Sequence, residues 1–79
     1  MTNKLFPIIR MDQPACYSVW VQGEIGERWR DWFDTLEISP AGEEITRLRG
    51  NLPDQAALLG FLQRLYALGY PILKVEVEV

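Results

Sequence analysis

Hydrophobic and polar positions alternate over residues 16–22, CYSVWVQ. Tyr17, Val19 and Val21 fall on one side; Ser18, Trp20 and Gln22 fall on the other. A period of two predicts a strand with one buried face, ended by Gly23. Over 24–33, EIGERWRDWF, the period lengthens: Ile25, Trp29, Trp32 and Phe33 recur at helical spacings, and Glu24 stands four residues before Arg28. Gly26 lowers helix propensity by about 1 kcal/mol against Ala, so this helix should be short. Leu36 and Ile38 alternate with Glu37 and Ser39 in a second strand, and Pro40-Ala41-Gly42 reads as a turn. Residues 44–50 then form a third strand, with Thr46, Leu48 and Gly50 opposite Ile45, Arg47 and Arg49.

Residues 54–68 carry the clearest helical stripe, Leu58, Phe61, Leu62, Leu65 and Leu68. Asp54 is placed to cap it, and Gly69 followed by Pro71 to stop it. Gly60, inside the helix, predicts close approach of a neighbouring element. The last stretch, ILKVEVEV, sets Leu73, Val75, Val77 and Val79 against Lys74, Glu76 and Glu78. Those charges also discourage edge-to-edge aggregation.

The order β-α-β-β-α-β predicts an α+β, ferredoxin-like βαββαβ two-layer sandwich: a four-stranded antiparallel sheet with both helices on one face, the first one short. The inward sets are Tyr17/Val19/Val21, Leu36/Ile38, Thr46/Leu48 and Leu73/Val75/Val77. Should 24–33 be a loop, the alternative is a three-stranded meander, one helix and a final strand. Residues 1–14 read as an extended N-terminal arm ending at Pro14, and 15–79 as a single domain. The arm's Leu5, Phe6, Ile8 and Ile9 need cover from the domain's own flank, a partner or a second copy.

Composition narrows the function classes. A chain of 79 residues buries one small core, with a folded surface of about 4,900 Å² against about 13,200 Å² unfolded. No apolar run approaches a membrane span, and the N-terminus lacks a signal peptide's apolar stretch and cleavage site. The net charge of -3 argues against nucleic-acid binding. With no histidine, His-based acid-base chemistry, Ser-His and Cys-His pairs and most zinc sites are excluded. Cys16 is the only cysteine, which fits a reducing, cytoplasmic setting. No spacing selects a catalytic carboxylate pair, and no glycine-rich phosphate loop or serine elbow is present. No enzyme, cofactor or metal site is expected.

The predicted open face of the sheet carries Trp20, Gln22, Glu37, Ile45, Arg47, Arg49, Lys74, Glu76 and Glu78. RNA-binding sheets of this topology stack bases on several aromatics, whereas here Trp20 stands alone among charges. Trp and Arg are enriched at protein-binding hot spots, so Trp20, Arg47 and Arg49 are candidate partner contacts. Arg28, Trp29 and Asp31 join them, from the dense segment ERWRDWFD, an aromatic anchor with a charged rim. Between Glu24 and Glu44 seven acids face two arginines, which makes one stretch of the chain acidic.

Two longer stretches, YSVWVQGEIGERWRDWFDTLEI (17–38) and TRLRGNLPDQAALLGFLQRLYALGYPILKV (46–75), contain the motifs W-x-D-W-F and D-Q-A-A-L. In these the chain resembles a family of small, uncharacterised single-domain bacterial proteins. The resemblance implies a stand-alone domain and supplies no activity, cofactor or catalytic residue. That family often has a histidine where this chain has Leu59, and its match omits the arm. The sequence thus leads to a non-enzymatic interaction or regulatory protein that binds another protein, with a homodimer as a further expectation. The alternative is an ACT-like module sensing an amino acid or nucleotide near the Gly23–Gly26 turn, by analogy of topology.

Overall fold

In the computed structural model, residues 9–33 and 35–78 are described, Trp32 by its backbone alone. Leu5, Phe6 and Ile8 of the arm, the side chain of Trp32, and Val79 lie outside the described residues. The elements are β1 (Ala15–Gln22), α1 (Glu27–Arg30) running into a 3₁₀ turn (Asp31–Phe33), β2 (Glu37–Gly42), β3 (Ile45–Leu52), α2 (Gln55–Ala67) and β4 (Ile72–Glu78). The four strands form one antiparallel sheet in the order β2-β3-β1-β4. The fold is α+β. Each helical connection returns to the sheet with one strand in between: β1 to β2 passes over β3, and β3 to β4 passes over β1.

One face of the sheet is covered. Tyr17, Val19 and Val21 from β1 and Leu48 from β3 pack with Leu58, Phe61 and Leu65 of α2 and with Ile25 and Phe33. Phe33 meets Phe61 edge to face at 5.4 Å, joining the 3₁₀ turn to α2. Each such side chain contributes about 1.5–3 kcal/mol of burial. The Asp54 carboxylate accepts the Ala57 N–H at 2.8 Å, the expected cap of α2. Gly69, at φ 88°, ends the helix in the left-handed conformation.

Several expectations are corrected. The first helix is short, as expected, but it starts only after Gly26, whose backbone is extended and serves as N-cap, so Glu24 and Ile25 lie outside it. Pro40-Ala41-Gly42 is not a turn. It belongs to β2, an edge strand where a missing N–H is tolerated. The turn falls one step later, at Glu43–Glu44, and Gly42 (φ 148°) absorbs the register shift after Pro40. Gly60 is not a point of close approach: a Cβ there would meet nothing within 4 Å among the described residues. The tight place is Gly50, where a Cβ would lie 2.6 Å from the Leu36 side chain and 3.3 Å from the Thr35 carbonyl.

The arm, where it is described, turns. The Gln13 N–H reaches the Arg10 carbonyl at 3.3 Å, and the Met11 carbonyl accepts the Gln55 N–H at 3.0 Å. That bond satisfies one of the free donors at the start of α2. Finally, the β4 residues expected to face the core are only partly covered: Leu73 and Val75 are exposed and Val77 is half-buried. Among the described residues, α2 buries β1 and β3 but leaves much of β4 open.

Candidate functional site: the open face of the sheet

Alternation turns Cys16, Ser18, Trp20 and Gln22 of β1 away from the core, and strand register decides what surrounds them. Trp20 lies opposite Arg47 on β3 and Lys74 on β4. Both cations close on its ring, the Arg47 guanidinium 5.1 Å and the Lys74 ammonium 4.9 Å from its centroid. Each such contact is worth about 0.5–1 kcal/mol at an exposed site. A half-buried indole held between two cations is an aromatic surface already fixed in place.

Beside it stands a charged hub. β3 and β4 are separated by β1, about 10 Å across two strand spacings. Long side chains close that gap over the short residues of β1. Arg47 donates to Glu78 Oε1 at 2.6 Å, and Arg49 Nε donates to Oε2 at 2.6 Å. Beneath them the Ser18 hydroxyl donates to Glu78 Oε1 at 3.0 Å and accepts from Arg47 at 2.9 and 3.2 Å. Ser18 is thereby wholly buried on a face that, among the described residues, no helix covers. The Cys16 thiol lies 3.4 Å from Glu78 Oε2. Glu37 extends the chain of charges at 4.0 Å from Arg49.

The electrostatics follow from these bonds. The Arg49 guanidinium, then the Ser18 hydroxyl, hold the Glu78 carboxyl down at about 2, from an ordinary 4.5. Glu78 in turn raises the pKa of Arg49. Burial, then the contact with Glu78, pushes the Cys16 thiol up. A carboxylate so firmly ionised is a poor proton shuttle, and a thiol kept protonated is a poor nucleophile.

The structure brings Trp20, Arg47 and Arg49 together on this face. It places Arg28, Trp29 and Asp31 apart, on α1 and the turn after it, where Trp29 packs against the core and Arg28 lies 5.2 Å over its ring. Sequence reasoning missed Ser18, Cys16 and the central part played by Glu78. Alternation puts the first two on the Trp20 face, but only the pairing of β4 with β1 brings Glu78 to them.

Two shallow grooves flank the other side. One, of about 260 Å³, is lined by Glu24, Ile25, Arg30, Ile38 and Thr46 and adjoins the Gly23–Gly26 turn. The other, of about 290 Å³, lies between Phe33, Leu36 and Leu52 and the Ala57, Gly60 and Arg64 flank of α2. Among the described residues no three acidic or thiol side chains converge as metal ligands, and no helix is long and apolar enough to cross a membrane.

Residues 16–76 match a domain of unknown function, DUF8691, and the chain belongs to that family. No curated protein and no solved structure matches it.

Proposed function

We propose that this is a non-enzymatic interaction protein that binds a protein partner on the open face of its sheet, with Trp20 as the anchor. The observation that carries this reading is the indole of Trp20 held between Arg47 and Lys74 on the face opposite the one α2 packs against. Trp and Arg dominate hot spots because they pair a large apolar area with directional hydrogen bonding. Here the rotamer cost of ordering them is largely met before a partner arrives. The strand order β2-β3-β1-β4, with two crossovers that each skip a strand, supports a ferredoxin-like arrangement beneath this face.

The test uses the tagged full chain to capture its partner from the source lysate, in parallel with Trp20→Ala and Trp29→Ala. A stoichiometric partner held by wild type and Trp29→Ala, and lost with Trp20→Ala, is the expected result. A partner retained equally by all three contradicts the assignment.

A second reading, small-ligand sensing of the ACT-like kind, is supported by the groove of about 260 Å³ beside the Gly23–Gly26 turn. It has less behind it, because α1 has only four residues and so offers little helix dipole to an anionic ligand. A thermal-shift screen of amino acids and nucleotides at millimolar concentration tests it, since ligand at 100 times its Kd adds about 2.7 kcal/mol.

A further inference from the structure

Among the described residues six large apolar side chains are exposed, and all of these but Met11 lie on two adjoining elements. Ile72, Leu73 and Val75 are on β4; Leu59 and Tyr66 are on α2, at 60% and 80% exposure. The groove at Ala57, Gly60 and Arg64 turns one flank of α2 towards Leu36 and Phe33. Leu59, Leu62 and Tyr66, on the opposite flank by helical spacing, therefore face the β4 side. Exposed apolar residues gathered in this way mark a contact surface.

The patch is bordered by an edge able to pair. β4 closes the sheet, and its hydrogen bonds run to β1 alone among the described residues. The opposite edge, β2, is poorly suited to pairing, because Pro40 lacks an N–H; the register shift that β4 carries falls at Leu73, before the regular stretch Lys74–Glu78. On β4, Lys74 and Glu76 flank Val75 and point to the same face, 3.0 Å apart. When two copies of this strand run antiparallel about a two-fold axis at Val75, Lys74 falls opposite Glu76 of the second copy, and Glu76 opposite its Lys74. Val75 then meets Val75 of the second copy on the other face. Opposite charges directly across a ladder are favourable and like charges unfavourable, so this register is complementary to itself.

We propose that β4 pairs antiparallel with β4 of a second copy about Val75, so that the sheet continues across the dimer and the Leu59–Tyr66 flanks of the two α2 helices close over Leu73 and Val75. A standard interface takes about 800 Å² from each partner, a modest share of the 5977 Å² this chain exposes.

Light scattering on the full chain from micromolar to millimolar concentration tests this, with circular dichroism confirming that each variant is folded. Wild type should reach twice its 9.1 kDa. Lys74→Glu and Glu76→Lys should each weaken the dimer about tenfold or more, since each sets two like-charge pairs across the seam. The double variant K74E/E76K should recover wild-type assembly, and Val75→Arg should be monomeric. Three results would overturn the proposal: a wild-type mass of 9.1 kDa throughout; a double variant no better than the single ones; or dimers that form only after residues 1–8 are removed, which would make the arm the cover of this patch.

Discussion

Arg47 and Glu78 meet at 2.6 Å although a whole strand runs between them. The contact exists because β1 offers only a serine and a cysteine beneath it. A long side chain at Ser18 would keep the two apart. Three strands are thus tied together on the side of the sheet opposite α2, and the same hub braces the Arg47 guanidinium against Trp20.

Replacing Glu78 by Gln tests the hub through pH. The Glu78 carboxyl titrates near 4.5 when unfolded and about 2 when folded. A group with a depressed folded pKa stabilises the protein above its unfolded value, and that contribution is lost as the pH falls. Wild-type stability should therefore decline from about pH 5 down to about pH 2, whereas Glu78→Gln should start lower at pH 7 and lose less over the same range. Urea melts at a series of pH values measure both; parallel curves would refute the hub.

Cys16 should behave as a quiet thiol. Burial and Glu78 raise its pKa, which leaves less thiolate at neutral pH than a free cysteine has. Its reaction with a chromogenic disulfide should be slower than that of a model thiol in the native protein and match it in denaturant. An equal native rate would contradict the geometry.

Two glycines should respond in opposite directions. Gly60→Ala meets no neighbour within 4 Å among the described residues and should stabilise by about 0.5–1 kcal/mol through helix propensity. Gly50→Ala runs into the Leu36 side chain and sits tight against the Thr35 carbonyl, and should cost about 1–3 kcal/mol. Thermal melts separate them, because 1 kcal/mol moves the midpoint of a domain this size by about 4–8 °C.

The glycine contrast also shows where sequence reading reached and where it stopped. Periodicity placed β1, α2 and β4, because Tyr17/Val19/Val21 and Leu58/Phe61/Leu65 are local patterns that burial enforces. Asp54 and Gly69 were legible as caps because their roles depend only on near neighbours in the chain. What failed was long-range. Gly60 and Gly50 look alike in sequence, and only the packing of Leu36 onto β3 tells them apart. Pro40-Ala41-Gly42 has turn composition, yet an edge strand with a register shift accommodates it. The alternation of β4 marks an inner face without revealing that α2 stops short of covering it. In the site, Trp20, Arg47 and Arg49 were named from type and alternation, while Glu78 needed the register of a strand more than fifty residues away.

The measurement that bears most directly on the open face as the binding surface is calorimetric titration of the captured partner against wild type, Trp20→Ala, Arg47→Ala and Trp29→Ala, each shown to be folded. Loss of a hot-spot side chain costs about 2 kcal/mol or more, about a thirtyfold weaker Kd. Trp20→Ala should show at least that, Arg47→Ala a smaller loss, and Trp29→Ala a Kd close to wild type. An unchanged Kd for Trp20→Ala, with a large loss for Trp29→Ala, would move the binding surface to the helical side of the sheet and contradict the assignment.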